Sequence, residues 1–214
     1  MARYTGPVCR LCRRNDEKLM LKGERCLSPK CAVEKKNQEA AGKFKRKGRG
    51  RRPKKKSEYG IRLMEKQKAK NTYGVLERQM RNYFVKAGRQ PGLAGENLLR
   101  MLETRLDNVV YRLGFADSLR QARQLVMHGH FTLNGRKTDI PSCAVKPGDV
   151  IAWKTGKEKL FPYQSAAQNL SNKEIPGWLS VDAEILTGKV LALPSREDIS
   201  GTINERLIVE LYSK

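Results

Sequence analysis

The chain has 214 residues and carries 44 Lys or Arg against 22 Asp or Glu, a formal net charge of +22. This length allows one or two domains. The charge predicts a polyanionic partner, because the excess positive charges repel one another unless an anion neutralises them. No apolar run approaches the roughly 20 residues that span a bilayer, and the first residues lack the apolar core of a secretory signal. We therefore expect no membrane contact and a cytosolic or organellar interior location, with the bacterial cytosol favoured.

Residues 1–42 hold four of the five cysteines, spaced as two close pairs at Cys9, Cys12, Cys26 and Cys31. Two such pairs about a dozen residues apart are typical of a structural zinc site, because each pair forms one turn that presents thiolates. Four thiolates complete a tetrahedron and leave no position for water, so we predict one structural Zn²⁺. Two disulfides, four free thiols or an iron–sulfur cluster are the alternatives, and a cytosolic chain argues against disulfides.

A basic segment follows at residues 43–56, where ten of fourteen residues are Lys or Arg and none is acidic. Gly48, Gly50 and Pro53 favour neither a helix nor a strand, and Phe44 is the only apolar side chain. Such a segment buries too little surface to fold alone, so we expect it to become ordered on a phosphate backbone. A solvated linker or a localisation signal is the alternative. The predicted RNA-binding residues are Lys43, Lys45, Arg46, Lys47, Arg49, Arg51, Arg52, Lys54, Lys55 and Lys56.

Apolar residues then recur at helical spacing, which predicts helices over residues 58–69, 75–87 and 96–113, and another from Ser118 to Gly129. Ser118 and Gln121 have the spacing of a capping box, and Gly114 and Gly129 favour helix ends. Residues 88–95 contain Pro91 and two glycines at their end, which is typical of a hinge between domains.

After residue 130 the apolar period changes to two, which predicts strands. Asn134-Gly135 indicates a type I′ turn between residues 131–133 and 137–140. Residues 145–153 predict a third strand, and two short strands are expected near residues 181–185 and 190–193. Residues 207–212 are apolar and allow a strand or a helix. The predicted fold class is α+β: a zinc module, a helical domain, and a module of two helices with a small, mostly antiparallel sheet.

Arginines on the two helices of that module are the next candidates for RNA contact. Arg105 and Arg112 lie seven residues apart and so share a face of the predicted helix, although Arg105 could instead pair with Glu103 or Asp107. Arg120 and Arg123 lie in the first turn of the next helix, where the dipole favours phosphate. The remaining candidates are the hairpin residues and one of two histidines at the helix–strand junction, namely Arg136, Lys137 and His128.

The stretch from Arg105 to Trp153 resembles the small RNA-binding module first recognised in small-subunit ribosomal protein four. The motifs that carry this resemblance are Arg105-Leu106-Asp107-Asn108-Val109, Arg120-Gln121-Ala122-Arg123-Gln124-Leu125-Val126, His128-Gly129-His130 and Val145-Lys146-Pro147-Gly148-Asp149. Residues 58–79 and 204–214 resemble the helical domain and C-terminus of that ribosomal protein family, and residues 3–7 with the four cysteines resemble its zinc-containing subtype. The resemblance covers nearly the whole chain, although residues 37–50 lack the Pro-Gly-rich, His-containing stretch of many bacterial members.

The resemblance implies a structural constituent of the small ribosomal subunit that is not an enzyme. It would bind small-subunit ribosomal RNA early in assembly, at a junction in the 5′ domain. Its partners would be this RNA, neighbouring ribosomal proteins, and messenger RNA where it enters its channel, with an influence on decoding accuracy and no homo-oligomer. It also implies that residues 95–187 form an RNA-binding domain inserted into a helical domain of residues 57–94 and 188–214.

Two other classes of function remain as alternatives. RNA-modifying enzymes also carry this module, but too little chain remains here for a catalytic domain, and no carboxylate cluster or nucleophile–base pair is evident. A zinc-containing DNA-binding regulator would need a helix that reads bases and, in most cases, a dimer. Assays of uridine modification and competition with duplex DNA discriminate these two classes.

Overall fold

The computed structural model describes residues 4–35, 57–199 and 202–213. The chain divides into two compact units, one of residues 1–77 with 203–214 and the other of residues 78–202. The contacts thus group residues up to 77 with the first unit, and the boundary near residue 94 stays a prediction. The expected hinge at residues 88–95 lies inside the second unit, where the buried Asn97 side chain donates hydrogen bonds to the backbone oxygens of Ala87, Gln90 and Pro91 at 3.1–3.4 Å.

The described elements are seven helices followed by three strands, a helix, two strands and a last helix. They are α1 (Cys9–Asn15), α2 (Glu24–Leu27), α3 (Glu58–Thr72), α4 (Glu77–Gly88), α5 (Ala94–Glu103), α6 (Leu106–Arg112), α7 (Leu119–Met127), β1 (Phe131–Leu133), β2 (Arg136–Lys137), β3 (Val150–Trp153), α8 (Phe161–Asn169), β4 (Leu179–Asp182), β5 (Thr187–Val190) and α9 (Glu205–Tyr212). A short 3₁₀ turn, Leu170–Asn172, follows α8. No helix in the described part of the chain is long and apolar enough to cross a membrane.

In the first unit, the C-terminal helix α9 packs against α3. The hydroxyl of Ser57 accepts a hydrogen bond from the Gly60 amide and so caps α3, as residues of this type do at helix starts. Arg62 of α3 forms an ion pair of 2.7 Å with Glu210 of α9. The Arg62–Glu210 pair joins segments that are 148 residues apart in the sequence within one unit.

In the second unit, five antiparallel strands form one sheet in the order β2-β1-β3-β5-β4. The hairpin turn is the one the sequence predicts, because Asn134 and Gly135 both have positive φ, at 51° and 77°. Gly188 of β5 lies directly against Leu113, the residue after α6, where a side chain at position 188 would clash. The sheet can therefore approach this end of α6 only because residue 188 is glycine.

The core of the second unit lies between the sheet and helices α6 and α7. Leu106, Val109, Val110 and Leu113 are fully buried on the helical side. On the sheet side Phe131 packs on Trp153, with ring centroids 4.5 Å apart. This core fixes α7 and the β1–β2 hairpin relative to one another within the unit.

The predicted α+β class is confirmed, but the predicted helix over residues 96–113 is wrong in one respect. It is two helices, α5 and α6, that break at Thr104 and Arg105, where Arg105 adopts extended backbone angles of −70° and 139°. The break is stabilised from outside the helix, since the amides of Leu106 and Val145 donate to the backbone oxygens of Cys143 and Thr104 at 2.8 and 2.9 Å. Arg105 therefore does not share a helix face with Arg112.

Candidate nucleic-acid interface

Helix α7 has one buried and one accessible face. The Ser118 hydroxyl accepts from the Gln121 amide at 3.3 Å, as the predicted capping box requires, while the Gln121 side chain accepts from the Asp117 amide at 2.8 Å. Leucine, alanine and valine residues cover the core on one side. The opposite side presents residues four apart, which stack along one helix face. These residues are Arg120, Gln124 and His128, of which Arg120 is partly exposed and the other two are exposed.

The β1–β2 hairpin adds two exposed cations, Arg136 and Lys137. The aliphatic stem of Lys137 crosses Gly129, which ends α7 at a φ of 67° and has no side chain to block it. The Lys137 ammonium thereby lies beside the C-terminal end of α7, where the helix dipole favours a positive charge. We refer to Arg120, His128, Arg136 and Lys137 together as the α7–hairpin surface.

Two histidines lie at the junction of α7 and β1, with ring centroids 6.0 Å apart. Burial lowers the pKa of His130, and the nearby Lys157 and His128 lower it further. His130 is therefore neutral at physiological pH and adds no charge for a phosphate. The exposed His128 remains the histidine available for RNA contact.

Three lysines near this junction were missed by the sequence analysis. The Lys154 amide donates to the His130 backbone oxygen at 2.8 Å, which places the loop after β3 beside the α7–β1 junction. Lys154 and Lys159 in this loop are exposed, and Lys157 is close enough to influence His130. The only signal in the sequence was a polar Lys-rich stretch without periodicity, which gave no position relative to the helices.

Arg105, one of the predicted RNA-binding residues, is 1% exposed. Its guanidinium forms a bidentate ion pair with Asp107 at 3.0 and 2.8 Å, and Nη1 donates to the Tyr83 hydroxyl at 2.7 Å. Burial alone would lower the pKa of Arg105, but Asp107 and Tyr83 outweigh it and raise the pKa. The donors of Arg105 face carboxylate and phenol oxygens inside the protein. The structure therefore does not expose Arg105 to RNA, contrary to what the sequence had led us to expect.

Arg123 and Arg112 also face carboxylates rather than a shared polar surface. Arg123 is 6% exposed and places Nη1 3.4 Å from Asp107 Oδ2. Arg112 donates to the buried Glu103 at 2.7 and 3.1 Å, and its side chain is 18% exposed. Glu103 and Asp107 thus bind three of the four helical arginines that the sequence analysis expected to face RNA. Arg112 keeps an accessible edge, and Arg120 is partly exposed.

The basic segment predicted to bind RNA lies outside the described residues. Its lysines and arginines at positions 43–56 therefore have no contacts or exposures to compare with the expectation. Within the described part of the second unit, the α7–hairpin surface and the loop of residues 154–159 form the candidate interface. Its cations lie on elements fixed by a packed core, which orients them before any ligand binds.

The four N-terminal cysteines lie in one small module. Cys12 and Cys31 are buried with Val8, Leu11, Leu19, Leu21 and Val33 in the same apolar cluster. The pKa of the Cys12 thiol is raised, chiefly by burial; a backbone hydrogen bond from Leu19 opposes the shift, and the other three cysteines add to it. The Lys22 amide donates to Cys26 Sγ at 3.3 Å. An amide directed at sulfur stabilises a thiolate, so the donor chemistry fits a tetrathiolate metal site.

The positions of these cysteines do not by themselves define a metal centre. Within residues 4–35, 57–199 and 202–213, no group of three or more His, Cys, Asp or Glu side chains is arranged to hold a metal ion. All four cysteines are free thiols, as is Cys143, which is half-buried. The cysteine spacing and the amide–sulfur contact are compatible with a metal site, but the side chains in the described residues are not arranged around a metal ion.

Comparison with known proteins gives matches over most of the chain. Residues 3–103 match the family described as ribosomal protein S4/S9 N-terminal domain, and residues 104–151 match the S4 domain. The small ribosomal subunit proteins uS4 of Heliobacterium modesticaldum and Acetivibrio thermocellus are each 56% identical to this chain, and protein uS4A of Alkaliphilus oremlandii is 57% identical. Each alignment spans 214 residues and covers 100% of both proteins. The chain therefore belongs to the ribosomal protein uS4 family.

Proposed function

We propose that this protein is a structural constituent of the small ribosomal subunit and binds its ribosomal RNA. The observation that carries the proposal is the α7–hairpin surface, where cations lie on rigid elements of an S4 domain in a chain of net charge +22. Guanidinium and ammonium groups on fixed elements bind the phosphates of a folded RNA with little loss of side-chain entropy. The uS4 family consists of structural ribosomal components, and the protein is not an enzyme.

We propose a set of RNA-contacting residues that differs from the one predicted from the sequence, because two of the predicted arginines are buried. Arg120, His128, Arg136 and Lys137 contact RNA directly, and Arg112 does so by its accessible edge. Arg105 and Arg123 act through Asp107 by holding α6 and α7 in position. The ten basic residues of segment 43–56 contact RNA phosphates along a path of their own, supported by their charge density and lack of apolar residues.

The place of the protein in the subunit follows the family. It binds ribosomal RNA early and nucleates the 5′ domain, contacts neighbouring ribosomal proteins, and lies near messenger RNA where it enters its channel. From that position it influences the accuracy of decoding. It acts in the bacterial cytosol as one copy within the particle rather than as a homo-oligomer.

We also propose that Cys9, Cys12, Cys26 and Cys31 bind one structural Zn²⁺ as thiolates. Their paired spacing, the burial of Cys12 and Cys31 in one apolar cluster and the Lys22 amide directed at Cys26 Sγ support this assignment. Zinc would supply folding free energy to a module whose apolar cluster is too small to fold unaided, on the order of 10 kcal/mol.

Reconstitution of small subunits tests the assembly role. Ribosomal RNA is combined with the other small-subunit proteins, and this protein is added first, last or not at all. We expect early addition to restore 5′-domain protections and full-size particles, and omission to leave an incomplete particle. Particles that form at the same rate and with the same protections without the protein would contradict a nucleating role.

A further inference from the structure

The β1–β2 hairpin carries two cations of the α7–hairpin surface on very little sheet of its own. Within the described sheet, β2 lies at the edge and pairs with β1 through two residue pairs, Thr132 with Lys137 and Leu133 with Arg136. A two-stranded segment of this length is marginally stable in water without further contacts. The placement of Arg136 and Lys137 therefore depends on contacts between the hairpin and the rest of the second unit.

Asn134, the first residue of the hairpin turn, makes such contacts with Asp149 and with Val150, where β3 begins. Its backbone amide donates to the Val150 oxygen, and its side-chain oxygen accepts from the Val150 amide, both at 2.8 Å. Its side-chain nitrogen donates to Oδ1 of Asp149, also at 2.8 Å. The amide of Asn134 thus uses its acceptor on one residue and its donor on the next, which fixes its orientation.

Asp149 is itself held by backbone groups on its other side. Its second carboxylate oxygen, Oδ2, accepts from the Lys146 amide at 2.7 Å. Its backbone oxygen accepts from the amide of Val190, a fully buried residue of β5, at 3.0 Å. The adjacent Gly148 amide donates to the Val190 oxygen at 2.8 Å. Asp149 therefore connects the exposed turn to the buried core of the second unit.

We propose that Asn134 and Asp149 are positioning residues for the binding of ribosomal RNA. The amide–carboxylate contact between them fixes the hairpin relative to β3 and β5, so that Arg136 and Lys137 hold their places on the α7–hairpin surface before RNA binds. Cations that are fixed in advance lose less conformational entropy on binding. This inference rests on the proposed binding of ribosomal RNA, and neither positioning residue contacts the RNA in it.

The type I′ turn alone does not account for this contact. Asn-Gly and Asp-Gly both favour such a turn, because Asn and Asp both tolerate the positive φ of position 134. An aspartate at position 134 would keep the turn and could accept from the Val150 amide, but its carboxylate would face that of Asp149. Exchanging the amide for a carboxylate therefore separates the role of the contact from the role of the turn.

The test exchanges the two side chains in the full chain and measures filter binding to 5′-domain RNA. Asn134→Asp should weaken binding at physiological salt by about tenfold, because like charges across the contact displace the hairpin and its two cations. Asp149→Asn should also weaken binding, although it removes a negative charge. An amide offers one oxygen at this position, where Asn134 and the Lys146 amide each need one.

The double variant, Asn134→Asp with Asp149→Asn, supplies the donor and the acceptors again with their positions exchanged. It also has the net charge of the unaltered protein. Its affinity should therefore lie within about twofold of that of the unaltered protein, since the two changes compensate one another. A double variant that binds as weakly as Asn134→Asp would overturn the inference.

Gln168→Glu, at an exposed position of α8, is the matched control for the added negative charge. Asn134→Asp should weaken binding much more than this control does, and equal effects would overturn the inference. Thermal melts establish that each variant is folded at the temperature of the binding assay. Single variants with a lower thermal midpoint but unchanged affinity would show a contact that serves only the fold, which would equally overturn it.

A second background tests whether Asn134 acts through the hairpin cations. In a chain with Arg136→Gln and Lys137→Gln, Asn134→Asp should weaken binding no further than Gln168→Glu does, because the cations that it positions are absent. A further loss as large as that in the unaltered background would overturn the inference. Failure of the unaltered protein to discriminate folded from scrambled RNA would instead contradict the proposed function, and the inference with it.

Discussion

Arginines of similar sequence context lie in different environments in this protein. Arg105 lies in a closed set of donors and acceptors with Asp107 and Tyr83, whereas Arg120 lies at the accessible side of α7. Arg105→Ala should destabilise the protein by about 3–5 kcal/mol, because it leaves the carboxylate of Asp107 buried without its main partner. Urea unfolding followed by circular dichroism measures this loss.

Arg120→Ala is the matched control for that change. It should alter the free energy of unfolding by less than about 1 kcal/mol, because contacts of a partly exposed arginine contribute little to stability. It should nevertheless weaken binding to ribosomal RNA, since it removes a cation of the α7–hairpin surface. Equal stability of the two variants would show that the Arg105 ion pair does not hold α6 and α7 together.

Glu77 gives the first unit a pH dependence. It accepts from Lys66 and Lys70, and its oxygen lies 3.2 Å from the Tyr212 hydroxyl. Burial alone would raise its pKa, but the two lysines outweigh it and lower the pKa below the ordinary value of 4.5. A carboxyl with a lowered folded pKa stabilises the protein above its ordinary pKa, and this stabilisation is lost as pH falls through the folded value.

Glu77→Gln should therefore lower the thermal midpoint at neutral pH and flatten its decline at acidic pH below about 4.5. The measurement is the thermal midpoint from pH 7 to pH 3. Glu184→Gln, at an exposed loop position, removes a carboxylate without these lysines and should reproduce the profile of the unaltered protein. A Glu77→Gln profile parallel to that control would contradict the role of the Lys66–Glu77–Lys70 contacts.

At the scale of elements, the folding of the N-terminal module should depend on the proposed zinc. Cys9→Ser should reduce bound zinc from one ion per chain to nearly none and make residues 4–35 sensitive to proteolysis, because the metal supplies much of their folding free energy. Residues 78–202 form a separate unit and should unfold at an unchanged temperature. Cys143→Ser, in that second unit, is the control and should retain full zinc. Full zinc content in both variants would exclude the four-thiolate site.

Local signals were sufficient for several elements. Features that depend only on neighbouring residues were predicted and are present in the structure. They are the Ser118 cap, the ends of α7 at Gly129 and of α6 before Gly114, and the Asn134-Gly135 turn. The break between α5 and α6 depends on the loop of residues 141–145, which is distant in sequence. The apolar stripe continues through the break, so periodicity alone predicts one helix. Helix α8 was missed because its polar stretch has weak amphipathic character.

The candidate site likewise combines features set by neighbouring residues with features set by contacts distant in sequence. The exposure of the hairpin cations could be predicted because local structure determines it. The burial of Arg105 and Arg123 could not, because it depends on how Asp107 and Tyr83 come together in three dimensions. The sequence analysis noted Asp107 as a possible partner of Arg105, but the spacing of two residues could not decide between pairing and exposure.

At the scale of the whole molecule, charge provides affinity and the fold provides specificity. The net charge of +22 attracts any polyanion, including duplex DNA and unstructured RNA. Only an arrangement of cations on fixed elements distinguishes one folded RNA from another of the same length. The proposed function therefore depends on specific recognition of folded small-subunit ribosomal RNA.

A competition titration tests this claim most directly. The zinc-loaded protein is titrated by filter binding against the 5′ domain of small-subunit ribosomal RNA at physiological salt, with a scrambled RNA of equal length as competitor. We predict binding in the nanomolar range, on the order of 12 kcal/mol, that the scrambled RNA does not displace. Equal binding of the two RNAs would show that the protein recognises charge alone, and would contradict its role as a specific ribosomal RNA-binding protein.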